Sequence, residues 1–562
     1  MSVMAYAPYG AEGVIIRVEA DIRRGIPGID ITGLADGAVR EARERVRAAF
    51  RNSGFKFPLD RILINLAPAG LRKEGAALDL PIALAVMAAA GLAPVPLNLL
   101  VMGELELSGR IRPVRGVLAA IAAGLEEGIR EFIVPAGNAA EAAILPAIRF
   151  AAVSTLREAV DALFTRAENG TLSATLRETP APILSATPDA ATPEETVPGE
   201  ENTAGDFADV RGQPVYKRAL EIAAAGGHNI LVFGPPGAGK TMLARRLPSI
   251  MAPLNPEEAV EVTRLYSLAG PFKSGAGTKA DSRSGFIDKL ITRPPFRAPH
   301  HTASAEGILG GGRIPRPGEI SLAHFGVLFL DEVPEFKSKV LQALREPLED
   351  RLISISRAEG TLRLPAEFQL LLAANACPCG RLGKRQAEPA DGDSRNGFYA
   401  ATRVDCLCSP EEIYRYWRKF CGALLDRVEL RVAIATPWIG EISGTSRECG
   451  IAEERSAEIA VRVRAAVEIQ RRRYAGTGIR RNALIPAGKI ETLCPMTEQA
   501  RSLLNKALAK LGLSGRAFHG ITRVARTVAD LDGMDTIDTV HVLEAVQHRR
   551  HGEDPYEILG AG

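Results

Sequence analysis

An excess of charge of either sign is missing from this chain. Its 69 basic and 67 acidic side chains leave a formal net charge of only +2. The chain as a whole is therefore no polybasic nucleic-acid binder, and any contact with a polyanion must come from local patches. Cysteine is scarce and odd in number, seven in 562 residues. That excludes a disulfide scaffold and points to a reducing compartment. Long uninterrupted apolar runs are absent too. The most apolar stretch, around Ala76 to Leu100, is broken by Asp79 and by Pro81, Pro94 and Pro96. It reads as a soluble core segment, not a membrane span. The N-terminus shows no charged region followed by an apolar core, so no signal peptide and a cytoplasmic location are expected. What remains is an ordinary globular composition, 46% hydrophobic and 24% charged, in a length that allows about three or four domains.

The chain is organised around Phe233-Gly234-Pro235-Pro236-Gly237-Ala238-Gly239-Lys240-Thr241. This fits G-x-x-x-x-G-K-[ST], the phosphate-binding loop. An ordinary Gly-rich turn would not need its flanks. Ile230-Leu231-Val232-Phe233 reads as a strand before it, and Met242-Leu243-Ala244-Arg245-Arg246-Leu247 as a helix after it. Glycines let several backbone N–H groups face one anion, and the helix N-terminus adds partial positive charge behind them. Lys240 is placed to reach the β- and γ-phosphates of ATP, and the Thr241 hydroxyl to bind Mg²⁺.

Downstream, Val327-Leu328-Phe329-Leu330 reads as a buried parallel strand ending in Asp331-Glu332. Two acids after a strand are common in isolation. After a phosphate loop they gain roles: Asp331 holds Mg²⁺, directly or through water, and Glu332 acts as general base. About ninety residues separate the two motifs, so extra elements lie between them. That segment holds Arg293-Pro294-Pro295-Phe296-Arg297-Ala298-Pro299-His300-His301-Thr302 and Gly310-Gly311-Gly312-Arg313-Ile314-Pro315-Arg316. It reads as a basic loop facing a polyanion or a neighbouring subunit, with Arg297 and Arg313 as DNA-contact candidates. His300 and His301 are adjacent and point in different directions, which argues against a metal pair.

Ile353-Ser354-Ile355-Ser356 and Leu362-Arg363-Leu364 read as a β-hairpin, with Arg357 near its tip as a third DNA-contact candidate. Phe368 to Ala374 reads as another buried strand ending at Asn375, which sits beside the γ-phosphate if this strand neighbours the phosphate-loop strand. Cys377-x-Cys379 and Cys406-x-Cys408 are paired C-x-C motifs around a polar insert. Two readings stand: a tetrahedral Zn²⁺ site, or reduced surface thiols. Cys421, Cys449 and Cys494 look unpaired.

Composition divides the chain. Residues 1–167 alternate β-like runs (Val14 to Val18, Arg61 to Leu66) with Ala-rich helices (Ala38 to Asn52, Leu80 to Ala90), giving an α/β domain. Residues 168–205, rich in Thr, Ala, Pro and Glu, read as a flexible linker. Residues 206–440 form the nucleotide-binding domain. Residues 441–562 are helical by pattern. Arg462, Arg464, Arg471, Arg472 and Arg473 make a basic helix, followed by Arg480 and Arg481. Either a solvated face or phosphate contact explains such a run.

The sequence resembles the YifB/ComM family of magnesium-chelatase-like AAA+ ATPases over nearly all of its length except the linker. The carrying stretches in the N-terminal part are Gly25-Ile26-Pro27-Gly28, Arg43-Glu44-Arg45-Val46-Arg47-Ala48-Ala49, Lys73-Glu74-Gly75-Ala76-Ala77-Leu78-Asp79-Leu80-Pro81 and Gly109-Arg110-Ile111-Arg112-Pro113. Further on they are Asp206-Phe207-Ala208-Asp209-Val210-Arg211-Gly212-Gln213, Ala223 to Asn229, Pro317 to His324 and Leu424-Leu425-Asp426-Arg427. The resemblance implies a Lon-protease-like (ribosomal S5-like) α/β domain, an AAA+ parallel-sheet domain and a C-terminal helical lid bundle. Active Lon domains use a Ser–Lys dyad. Here Ala77 and Leu118 stand at those positions, so proteolysis is not expected. The resemblance also implies that Asn375 is sensor 1, that Arg427 is an arginine finger reaching a neighbouring subunit, and that the hairpin is a pre-sensor-1 hairpin. Arg516 matches sensor 2, with Arg523 as runner-up. It implies further a hexameric ring that hydrolyses ATP and moves DNA, as a helicase or in branch migration. The competing class is a chelatase-type or protein-remodelling motor working on protein partners.

Overall fold

The computed structural model describes residues 1–172, 205–270, 287, 289–312, 316–357, 360–382, 385–389, 399–403, 406–420, 422–436 and 453–549, without 35, 72 and 74. Most of the expected linker, Arg313, Cys421 and Cys449 lie outside the described residues.

The first 172 residues build a seven-stranded mixed sheet. Its order is Gly28–Thr32, Arg61–Ala67, Glu12–Arg23, Ser2–Tyr9, Leu99–Val101, Glu131–Pro135, Arg149–Val153. Alternation sets its faces: along Arg61–Ala67 only Ile62, Ile64 and Leu66 are buried. Helix Gly37–Asn52 begins where the Asp36 carboxylate accepts from Val39 N–H at 2.8 Å, and it buries Val39, Ala42, Val46, Ala49 and Phe50. Helix Asp79–Ala89 is apolar all round, so it is swallowed whole by the core. Asp79 heads it. Arg45 neutralises this buried carboxylate with bonds of 2.7 and 2.9 Å, and Leu105 N–H adds a third at 3.2 Å. Helix Val117–Glu126 covers the opposite sheet face through Val117, Ala120 and Ile121.

The central part is a five-stranded parallel sheet ordered Phe296–Arg297, Val327–Leu330, Gln369–Ala374, Ile230–Phe233, Leu430–Ala433. Three of these strands are buried at every position because both faces are covered, which is why they read as continuous apolar runs. On one face helix Pro214–Gly226 joins the sheet to a C-terminal bundle of Ser456–Arg473, Glu498–Leu511, Gly515–Leu531 and Thr539–Gln547 in one continuous core. The other face packs against Trp417, Phe420 and the hairpin base.

The arginine-rich helix is not a bare basic face. Arg462 binds Glu221 and Glu454, Arg472 binds Glu468 at 3.2 Å, and Arg473 grips buried Asp530 at 2.5 Å. Arg471 donates to the Pro253 carbonyl at 3.2 Å, and Arg480 lies 4.1 Å over the Phe325 ring. Arg481 is half-buried, and burial pushes its pKa down to about 10. Arg462 and Arg473 thus help hold the bundle together, while Arg464, Arg471 and Arg472 stay exposed.

The N-terminal sheet unit docks on helix Pro256–Ala269. Leu268 enters the cluster of Tyr6 and Val117, the Ser267 hydroxyl donates to buried Glu141, and Gly116 N–H donates to the Ser267 carbonyl at 3.2 Å. The turn after Ser2–Tyr9 meets the hairpin: Ala11 is buried in the same cluster as Leu362.

Candidate functional site

Strand Gln369–Ala374 lies between strands Ile230–Phe233 and Val327–Leu330, with all three parallel. Their C-terminal ends therefore present the phosphate loop, Asn375 and the acid pair side by side, at the edge where parallel sheets bind ligands. The condition placed on Asn375 by the sequence is met.

The loop is built on close backbone approach. A Cβ at Gly234 would fall 2.3 Å from the Ile434 carbonyl oxygen, so no larger residue fits there. Gly237 and Gly239 adopt φ of +80° and +89°, a region costly for other residues. Gln213 braces the loop from outside, donating to the Ala238 carbonyl at 3.3 Å and the Ala435 carbonyl at 2.7 Å. Lys240 folds back over the loop. Its ammonium donates to the Gly234 carbonyl at 2.8 Å, the Pro235 carbonyl at 2.9 Å and Asn375 Oδ1 at 3.1 Å. Burial lowers its pKa to about 8, against the pull of Asp331 and Glu332.

Thr241 Oγ1 donates to Asp331 Oδ2 at 2.7 Å. A hydroxyl and a carboxylate in contact are the hard oxygen donors that Mg²⁺ prefers, so this pair fits the metal the motif implies. Glu332 departs from the strand with φ of +50°, an unusual value for a side-chain-bearing residue. That bend turns its half-exposed carboxylate off the sheet edge, 3.8 Å from His301 Nδ1.

Arg427 occupies the other edge. It precedes strand Leu430–Ala433, whose first residue pairs with Ile230 in parallel. It therefore lies at the N-terminal ends of the strands, opposite the phosphate loop. Asn229 fixes it there: Asn229 Nδ2 donates to the Arg427 carbonyl at 2.8 Å, while its Oδ1 accepts from Leu370 N–H at 2.8 Å. The Arg427 and Arg516 guanidiniums both bind Glu349. Arg523 sits deeper, facing Glu429 and His228.

Residues 206–441 match the family described as magnesium chelatase, subunit ChlI. Residues 18–138 match subunit ChlI of Mg-chelatase, and 453–549 match its C-terminal part. The chain is 38% identical to an uncharacterized protein YifB of Salmonella typhimurium, over 97% of this chain and 96% of that one. It is 38% identical to competence protein ComM of Haemophilus influenzae, over 97% of both. The chain belongs to the YifB/ComM family of magnesium-chelatase-like AAA+ ATPases. A shorter match, 30% identity over 31% of this chain and 33% of the relative, is to Lon protease 2 of Bacillus subtilis. The Lon-like fold, the AAA+ parallel sheet and the helical lid thus stand together. No helix among the described residues is long and apolar enough to cross a membrane.

Other residues singled out in this YifB/ComM chain fall less evenly. Arg297, a DNA-contact candidate, is paired with Glu319 through two bonds of 2.6 and 2.9 Å, which brace the Glu319 turn. Arg313 lies outside the described residues, and Arg357 ends strand Leu352–Arg357 opposite Gly360 at the hairpin tip. Ala77 and Leu118 stand in the Lon-like unit as apolar side chains, and Leu118 N–H donates to Glu141 at 3.1 Å. His300 and His301, expected from the sequence to point in different directions, instead bring their rings together with centres 4.0 Å apart. Among the described residues the four cysteines 377, 379, 406 and 408 form the one group of three or more ligand-bearing side chains that could share a metal. Sequence reasoning missed the roles of Gln213 and Glu349 and the approach of His301 to Glu332, because their partners are distant in the chain and leave no local signal.

Proposed function

We propose that the chain is one subunit of a ring-forming, ATP-hydrolysing motor that acts on DNA, of the helicase or branch-migration type. The observation that carries the ATPase reading is the meeting of Lys240, Thr241, Asp331 and Asn375 at one edge of three adjacent parallel strands. In this reading the loop from Gly234 through Pro235, Pro236, Gly237, Ala238 and Gly239 to Thr241 cradles the phosphates with backbone N–H groups. Lys240 exchanges its carbonyl partners for phosphate oxygens. Thr241 and Asp331 hold Mg²⁺. Glu332 takes the proton of the attacking water, and Asn375 orients that water. Bound Mg²⁺–ATP supplies the electrophilic γ-phosphorus and neutralises developing charge. Zn²⁺ is a structural addition at the cysteines.

Arg427 stands at the strand ends opposite its own loop, so its finger role requires a second copy of the chain. Arg516, paired to the same Glu349, would face the same neighbour. This placement supports assembly, and the family resemblance supports a hexamer. Residues 1–167 are the inert Lon-like unit, 168–205 the linker, 206–440 the ATPase and 441–562 the lid.

DNA as the track is supported by the resemblance, by the hairpin Leu352–Arg357 with Gly360–Pro365, and by a relative named a competence protein. The second reading, a chelatase-type or remodelling motor on protein partners, is favoured by the magnesium-chelatase descriptions of all three matched regions. Steady-state hydrolysis without DNA, with single strand, with duplex and with a four-way junction separates the two, at fixed salt and with Lys240→Ala as control. Stimulation by branched or single-stranded DNA is the expected result. An intact basal rate that no DNA changes would sink the DNA reading and redirect the search to protein partners.

A further inference from the structure

Four thiols meet at a point that ATP hydrolysis does not use. Cys377 and Cys379 follow strand Gln369–Ala374, and the hairpin Arg385–Pro389/Tyr399–Arg403 brings Cys406 and Cys408 back to them. The sulfurs of Cys377 and Cys379 are 3.4 Å apart, those of Cys379 and Cys406 3.6 Å, and those of Cys406 and Cys377 3.5 Å. All four lie within 4.8 Å of one another. A tetrahedral Zn²⁺ with sulfurs about 2.3 Å away spaces them about 3.8 Å apart. A disulfide needs about 2.05 Å. The cluster has the first spacing and not the second.

The backbone is shaped for the same purpose. Gly380 takes φ of +71° just after Cys379, and its N–H closes a turn onto the Cys377 carbonyl at 3.1 Å. Leu382 N–H then donates to Cys377 Sγ at 3.4 Å. An amide hydrogen aimed at sulfur is the outer-shell contact that orients a metal ligand. Cys377 is fully buried, where a bare thiolate would be costly and a metal-bound one is not. Four sulfur donors in a tetrahedral array select zinc among the common divalent ions, with iron the other candidate for such a set.

The cluster also touches the ATP machinery. Asn375 stands two residues before Cys377. Gly380 lies against the phosphate loop, where a Cβ would come 3.1 Å from Pro236 Cδ. Trp417 locks the segment from behind: its Nε1 donates to the Ala376 carbonyl at 3.1 Å, and its ring meets Phe233 edge-on at 5.2 Å. Sensor residue, cluster and loop form one continuous packed unit.

We propose that Cys377, Cys379, Cys406 and Cys408 bind one Zn²⁺, and that this ion clamps the segment from Asn375 to Gly380 against the phosphate loop. The metal part stands on the four sulfurs alone. The clamp part rests on the ATPase reading, so the two fail separately.

The test uses the full-length protein, made in zinc-supplemented medium and purified under reducing conditions without chelator. Metal analysis is expected to give about one zinc per chain, and the Cys406→Ser and Cys408→Ser variants about a tenth of that or less. Cobalt added to metal-stripped protein is expected to give the visible bands of tetrahedral tetrathiolate Co²⁺. Wild-type protein with no zinc and no cobalt spectrum would overturn the site, and stoichiometric iron would overturn its metal. These wild-type readouts decide the matter even where a serine variant fails to fold. For the clamp, Cys408→Ser is expected to bind a fluorescent ATP analogue nearly as wild type while hydrolysis drops about tenfold or more, the effect of a misplaced catalytic group. Zinc loss with unchanged turnover would overturn the clamp and leave the metal site standing.

Discussion

Arg427 and Arg516 donate to the same oxygen, Oε1 of Glu349, one from the turn before strand Leu430–Ala433 and the other from the first turn of helix Gly515–Leu531. Burial works to raise the Glu349 pKa, but the two guanidiniums outweigh it and hold the carboxyl below its ordinary range. One carboxylate thus gathers two cations from the ATPase core and the lid, facing away from their own phosphate loop. If both serve the next subunit, Arg427→Ala and Arg516→Ala each lower ATP turnover by about a hundredfold or more. A mixture of Arg427→Ala with Lys240→Ala subunits then regains part of the activity, because some interfaces pair an intact finger with an intact loop. Turnover titrations of mixed subunits check this, and a flat, inactive mixture counts against action across the interface. Glu349→Gln changes basal turnover by about threefold or less, since the carboxylate is half exposed and such pairs contribute little.

In the proposed mechanism Glu332 and Lys240 separate hydrolysis from binding. Glu332→Gln keeps the side-chain shape and removes the proposed base. It is expected to bind nucleotide normally and to slow hydrolysis about a hundredfold to ten-thousandfold. Lys240→Ala is expected to lose nucleotide affinity itself. Equilibrium binding beside single-turnover hydrolysis distinguishes the two, and a Glu332→Gln protein that still turns over at the wild-type rate would remove that residue from the chemistry.

The buried Lys240 amine gives a pH signature. Its pKa in the nucleotide-free protein is lowered to about 8 by burial. Phosphate binding favours the charged form, so ATP binding above that pH must take up a proton. The sign follows from linkage: affinity is flat below about 8 and falls as pH rises through it, by up to about tenfold per pH unit. Calorimetric titrations in buffers of different ionisation enthalpy read the proton directly. An affinity constant well past that pH, with no proton uptake, would contradict the assignment.

The domain joint rests on few polar atoms. Glu141 Oε1 accepts from Leu118 N–H and from the Ser267 hydroxyl, while Oε2 accepts from Asn138 Nδ2 at 2.9 Å. Burial raises the Glu141 pKa against these donors. Ser267→Ala removes one donor from a buried carboxylate and is expected to destabilise the joint by about 1–3 kcal/mol. Limited proteolysis and chemical unfolding would show the loss, and an unchanged profile would mean that the apolar packing of Leu268 suffices.

Much of the ATP site was legible because its chemistry is local. The phosphate loop and the acid pair each follow a short strand buried on both faces, and such strands are visible as apolar runs. Asn375 could be placed only on condition that its strand neighboured Ile230–Phe233, and pairs such as Ile230 with Leu371 meet it. The partners of the cations were hidden for the opposite reason. A sequence shows an arginine but not its partner, so neither the Arg297–Glu319 pair nor the pairing of Arg473 with Asp530, 57 positions on, could be read from it. The approach of His301 to Glu332, the shared Glu349 and the link from Ser267 to Glu141 were invisible because each joins segments that only the tertiary fold brings together.

The contact between the N-terminal sheet and the hairpin carries a mechanical consequence. At Gly10, φ is +74° and a Cβ would fall 2.3 Å from Leu362 Cδ1, while Ala11 is buried beside the same strand. Leu362 belongs to the inner strand of the hairpin proposed to meet DNA. If that hairpin moves on DNA as proposed, it pivots against a contact with another domain. Any stroke it makes must either carry the Lon-like unit with it or slide over the Tyr9–Ala11 turn. A domain with Ala77 and Leu118 at the positions matched to the Ser–Lys dyad would thereby set how far the hairpin can swing.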